Sequence, residues 1–210
     1  KTLGLSVLEV VYHNIRKIHA STFLSKEKAN QIIDQAKALE CDNIIINAEI
    51  SPSQMRNLQN LAGYEIRILD RTGIIIDIFS VHAKTAEAKT QVSLAKLEYM
   101  LPRLTKQWSH LERQMGGTGT RGGPGEQQIE IDRRLIRSDI NKLQKDLKKI
   151  QKTRLIQNMN RSNTFQVSIV GYTNAGKSTL MNLLTNADVS VKNELFATLD
   201  STTRRLDLKI

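Results

Sequence analysis

Cysteine occurs once in this 210-residue chain, at Cys41, so no internal disulfide can form and no thiolate cluster can hold a metal. The four histidines, His13, His19, His82 and His110, have no metal-ligand spacing with it or with one another. Aromatic residues make up only 4% of the chain, while Leu, Ile, Lys, Gln and Asn are plentiful, which favours helices packed through aliphatic side chains over a β-sandwich. The same scarcity leaves no set of stacked aromatics for reading RNA bases, so any RNA contact is expected through phosphates and shape. Long apolar runs are also missing. None approaches the roughly 18 to 20 residues that a membrane span needs, and no basic n-region with an apolar h-region opens the chain. Cytoplasm is the expected compartment.

What is present is enough apolar residue, 40%, to bury a core in one or two domains, and a strong excess of positive charge, +10 with a pI near 9.8. Such an excess argues for a polyanionic partner only where it clusters. The first residue is Lys1, and Ile210 falls within the alternating pattern Arg204-Arg205-Leu206-Asp207-Leu208-Lys209-Ile210, so a segment of a longer protein is expected.

Residues 1–83 alternate apolar runs with helical patterns: Leu5 to Val11, Ser25 to Ala38, Ile44 to Ile46, Pro52 to Leu61 and Ile66 to Leu69. That rhythm predicts β-α-β-α-β units with a small parallel sheet. Ser51 before Pro52 is a helix-start signal, and Ile74, Ile75, Ile78 and Phe79 predict a further helix after a turn at Asp70-Arg71-Thr72-Gly73. Over residues 84–160 the pattern becomes two long helices. Leu94, Leu97, Leu101, Leu104, Trp108, Leu111 and Met115 form one heptad seam, kinked at Pro102, and Ile136, Ile140, Leu143, Leu147 and Ile150 form the other. They are expected to face each other as an antiparallel hairpin. Its connection, residues 116–125, holds six of the eleven glycines, far more than a turn requires. Beside it stand Arg121, Arg133, Arg134 and Arg137, followed by Lys142, Lys145, Lys148, Lys149, Lys152 and Arg154 against few acids. Here the charge does cluster, which favours an RNA-facing arm over a merely solvated helix.

Residues 161–210 carry the chemistry. Phe165 to Val170 reads as a strand, Gly171 to Gly176 as a loop, and Lys177 to Leu184 as a helix, the context in which G-x-x-x-x-G-K-[ST] becomes a phosphate-binding loop. Successive amides of Gly171, Tyr172, Thr173, Asn174, Ala175 and Gly176, with the start of the helix at Lys177, Ser178 and Thr179, would cradle phosphate oxygens. Lys177 would reach the β- and γ-phosphates and Ser178 would bind Mg²⁺ through its hydroxyl. These residues do not separate GTP from ATP, and an RNA-binding module with an incidental loop also remains open.

Asn174-Ala175 ahead of Gly-Lys-Ser, and the run Phe196-Ala197-Thr198-Leu199-Asp200, resemble the first two motifs of the translation-factor-like GTPases that include the Era, Obg and HflX families. Residues 70–79, the stretch Leu97 to Leu104 and the glycine-rich loop leading into Asp132-Arg133-Arg134 narrow the resemblance to HflX, over nearly the whole chain. The resemblance implies an α/β protein with a small parallel-sheet domain, a helical hairpin and the first part of a P-loop GTPase domain. It also implies GTP hydrolysis to GDP with Mg²⁺, and binding to the large ribosomal subunit through a glycine-rich tip near rRNA. The implied role is splitting stalled ribosomes under stress, and a monomer is expected. By the same resemblance Thr198 joins Mg²⁺ in the GTP state, so Lys177 and Thr198 are the residues implied in catalysis. Two departures stand out: Gly122-Gly123 before Pro124, where many relatives have one glycine, and Ser201 after Asp200, where proline is usual.

Overall fold

The computed structural model describes residues 2–15, 17–104, 125–159, 165, 167–185 and 203–206. The first helix, α1 (Lys26–Ala38), starts where the Ser25 hydroxyl accepts the Lys28 amide at 3.3 Å, and turns Ala29, Ile33 and Ala36 inward. After β1 (Asn43–Ile46) comes α2 (Pro52–Ala62), held by a reciprocal cap. Ser51 Oγ accepts the Gln54 amide at 3.2 Å, and Gln54 Oε1 accepts the Ser51 amide at 2.9 Å. β2 (Arg67–Asp70) then pairs with β1 in parallel, Ile44 opposite Ile68 and Ile45 opposite Leu69. Ile33, Ile50, Met55, Leu58, Ile66 and Ile68 fill the space between sheet and helices, each burial favouring the fold by about 1.5–3 kcal/mol before entropy is counted.

The predicted first strand at Leu5 to Val11 is not formed. These residues pair with no described strand, and Val7 remains 70% exposed. An apolar run becomes a strand only where a neighbouring backbone takes up its amides, and β1 and β2 take up one another. The chain enters the core only at Phe23, whose φ of 64° tucks its ring inward within a tight His19–Phe23 bridge. On its other side β2 is closed by a side chain. Buried Gln59 accepts the Ile68 amide at 3.1 Å and donates to the carbonyls of Ile66 and Gly63 at 2.8 and 2.7 Å, doing what a further strand would do.

Asp70 ends β2 and caps α3 (Arg71–His82), so residues 71–73, predicted as a turn, are the first turn of the helix. Thr85 caps α4 (Ala86–Met100), which stops before Pro102 in a 3-10 turn, Leu101–Arg103. The kink predicted there is thus a helix end, as proline lacks the amide for the next bond. α5 (Gly125–Met159) runs 35 residues, about 52 Å, so Gly125, expected in the tip, already belongs to the helix. α4 and α5 pack against each other, and Arg154 near the end of α5 meets Glu87 at the start of α4 at 2.9 Å, which makes them antiparallel. The predicted seam on α5 is its least exposed stripe, with Ile136 buried and Ile140, Leu143, Leu147 and Ile150 half-buried. α4 also carries a second stripe, Ala88 and Val92, packed on Ile76 and Ala83. Trp108, Leu111, Met115, Arg121 and the glycine-rich tip up to Pro124 lie outside the described residues.

Candidate nucleotide-binding site

Phe165 to Val170, the strand expected to lead into the phosphate loop, has no described ladder partner, and Val170 is 90% exposed. Its apolar side chains fit the interior of a sheet, but a strand of that kind exists only between neighbours. The helix after the loop is present as α6 (Lys177–Thr185).

Between them the backbone turns through two left-handed residues, Asn174 with φ 59° and Gly176 with φ 82°. Asparagine tolerates that region and glycine enters it without penalty, so the Asn-Ala-Gly sequence suits the path. The Ala175 amide donates to the Tyr172 carbonyl at 3.3 Å, and the Leu180 amide to the Gly176 carbonyl at 2.9 Å, which makes Gly176 the entry to α6. The Lys177 side chain folds back over the loop. Its Nζ donates to the Tyr172 carbonyl, and its Cδ passes 3.7 Å from where a Cβ on Gly171 would lie, so the amine is held across the concave side. Residues 171–176 are exposed, and Lys177 and Ser178 are half-buried. The structure therefore brings Gly171 to Thr179 together in one turn. Thr198 and the run Phe196 to Asp200 lie outside the described residues.

Among the described residues no group of three His, Cys, Asp or Glu side chains is placed to hold a metal. A cation at this loop would be held by hydroxyl and phosphate oxygens, the hard donor set that Mg²⁺ prefers, and Ser178 supplies such a hydroxyl in the first turn of α6.

Comparison with known proteins places the chain among GTP-binding proteins by sequence. Families described as the N-terminal and middle regions of a GTP-binding GTPase match residues 1–80 and 82–161, and a family described as 50S ribosome-binding GTPase matches residues 166–210. The GTPase HflX of Magnetococcus marinus is 47% identical over 99% of this chain and 48% of its own length, and that of Escherichia coli 44% identical over 98% and 48%. The chain belongs to the HflX family. It spans about half the length of the curated relatives it matches. A solved complex of SsGBP with GDP is 25% identical, covers 80% of this chain and 45% of that one, and superimposes with a TM-score of 0.50.

The fold explains two stretches that carry the HflX likeness, residues 70–79 and 97–104: they meet around one carboxylate. Asp70 is fully buried, accepts the Gly73 amide and the Tyr99 hydroxyl at 2.8 Å each on Oδ1, and pairs with Arg103 at 3.3 Å on Oδ2. Arg103 also donates to the carbonyls of Ile50 and Tyr99, at 3.1 and 3.0 Å, and lies 3.8 Å above the Tyr99 ring. Burial, then the hydrogen bond to Asp70, raise the Tyr99 hydroxyl well above the ordinary phenol range, so it stays a donor. This cluster joins α3, the sheet and the start of the hairpin. The sequence reading gave these residues no joint role. Asp70 alone was within reach, as a capping residue before an apolar helix.

Proposed function

We propose that this HflX-family chain supplies the phosphate-binding element of a Mg²⁺-dependent GTPase that works on the large ribosomal subunit and splits stalled ribosomes under stress. The observation that carries the reading is the turn through Asn174 and Gly176 into α6, with Lys177 drawn across it. Loop amides and the start of α6 receive the β- and γ-phosphates, and Lys177 exchanges the Tyr172 carbonyl for a phosphate oxygen. Ser178, and Thr198 in the GTP state, would hold Mg²⁺, which would supply positive charge at the phosphates while Lys177 steadies the γ-phosphate for attack by water. Phe196, Ala197, Leu199 and Asp200 complete the contact from the second motif. The working division is a small α/β domain over 1–83, a helical hairpin over 84–160 and the nucleotide domain from 161 onward, in a cytoplasmic monomer.

Ribosome binding rests on the basic face of α5, on the glycine-rich tip and on the match to a family described as 50S ribosome-binding. Lys177→Ala or Ser178→Ala in the longer protein is expected to lower GTP turnover at least about a hundredfold. Phosphate release with GTP and with ATP measures this. Unchanged turnover in both variants would falsify the loop assignment, and equal use of ATP would remove the guanine preference.

A further inference from the structure

A cavity of about 330 Å³ lies where α2, the 3-10 turn and α5 meet, lined by Pro52, Ser53, Arg56, Pro102, Leu104 and Arg133. Two arginines from distant parts of the chain, Arg56 on α2 and Arg133 on α5, line this hollow, and among the described residues no carboxylate-bearing side chain lines its wall. Arg67, Arg71, Arg103, Arg137 and Arg154 all have acid or carbonyl partners. Among the described residues Arg56, Arg133 and Arg134 have no side-chain partner of either kind, and the first two line this hollow. Two like charges facing one space repel unless an anion lies between them, and the planar fork of arginine matches phosphate oxygens in pairs. Ser53, whose hydroxyl lies 3.0 Å from that of Ser51, adds a neutral polar residue to the same wall.

We propose that this cavity is a phosphate site for an RNA backbone, gripped by Arg56 from the small α/β region and Arg133 from the hairpin. The inference rests on the reading of RNA as the partner and adds a place: the N-terminal region holds the same RNA that α5 tracks. A phosphodiester with its ribose suits the volume, which lies at the small end of the range of ligand sites. A phosphate seated here also ties the hairpin to α2 from outside.

The test uses a labelled RNA stem-loop, followed by anisotropy, and purified large subunits, followed by co-sedimentation. Both are run at about 50 and 200 mM salt, where phosphate contacts differ most in strength. Arg56→Ala and Arg133→Ala are each expected to weaken binding about five- to twentyfold at the lower salt, and to reduce the slope of log affinity against log salt by about one. The paired variant Arg56→Lys, Arg133→Lys keeps the slope but loses part of the affinity, because charge remains and the fork does not. Thermal unfolding of each variant shows that the fold is intact. Wild-type affinity in both alanine variants, with weakening by Lys148→Ala and Lys152→Ala on the far part of α5, overturns the cavity and leaves the RNA reading standing. No RNA binding by the wild type overturns both. Titration with inorganic phosphate forms the last arm. Arg56-dependent phosphate binding without any Arg56 effect on RNA would assign the cavity to a free anion and overturn the RNA proposal.

Discussion

Asp70 and Lys177 stand at equivalent points, each at the junction between a strand-like segment and a helix, yet they are held by different forces. Asp70 has no exposed surface and three partners drawn from α3, α4 and the 3-10 turn. Lys177 is half exposed, and its partner is a carbonyl five residues back in its own loop. The first arrangement exists only once three elements have packed. The second is written in local backbone preference and needs no core. Disturbing the first should cost stability, and disturbing the second should cost chemistry.

The largest effect on stability is expected from Asp70→Ala, about 3–5 kcal/mol, because Arg103 would keep a charge in a site where only 10% of its side chain is exposed. That is a large share of the stability of an ordinary domain. Denaturant unfolding measures it, and the pair Asp70→Ala with Arg103→Met should cost clearly less than the sum of the two single changes. Additive costs would mean that the two side chains do not support each other. Gly73→Ala comes next, at about 2 to 3 kcal/mol. Its new Cβ would lie 2.8 Å from the Tyr99 hydroxyl and 3.3 Å from Asp70 Oδ1, forcing apart the bond that joins α3 to α4. A thermal midpoint equal to wild type would show that this junction has slack.

How much of this could be read in the sequence follows the same division. Ser25, Ser51 with Pro52, and the 3-4 spacing of Ile136 to Ile150 are local signals, and α1, α2 and the inward stripe of α5 follow them. The turn at residues 171–176 and the helix after it were readable from the G-x-x-x-x-G-K-S pattern, whose Gly176 takes up a left-handed conformation. The segments at Leu5 to Val11 and Phe165 to Val170 have strand-like composition, but pairing depends on a neighbour that composition does not name. Tyr99 and Arg103 were visible only as letters in a familiar stretch. Their function depends on Asp70, about thirty residues away in sequence, and no spacing rule links positions at that distance.

Tyr99→Phe sharpens the comparison through pH. It removes a hydroxyl bonded at 2.8 Å to a buried carboxylate, at a cost of about 1–2 kcal/mol near neutrality. Burial raises the folded pKa of Tyr99 above the unfolded value of about 10, so its contribution is fully present below about pH 10 and is lost as pH rises towards the folded value. The gap between wild type and Tyr99→Phe should therefore be constant from about pH 6 to 9 and shrink above about 10. A gap that widens with alkali would reverse the sign of the argument.

The smallest effect on stability is expected at the residue with the largest effect on chemistry. Lys177→Ala removes one hydrogen bond, from an ammonium to a carbonyl in a loop whose residues 171–176 are all exposed, so water can replace it on both sides. Neither α6 nor any core residue loses a packing partner, and a surface change of this kind stays within about 0.5 kcal/mol. Denaturant unfolding of this chain should give coincident curves for wild type and Lys177→Ala, while the same substitution in the longer protein removes turnover. A loss above about 1 kcal/mol would place the lysine in the folding of the loop itself. The difference between Asp70 and Lys177 would then be one of degree, with the phosphate loop held in shape by its own lysine before any nucleotide arrives.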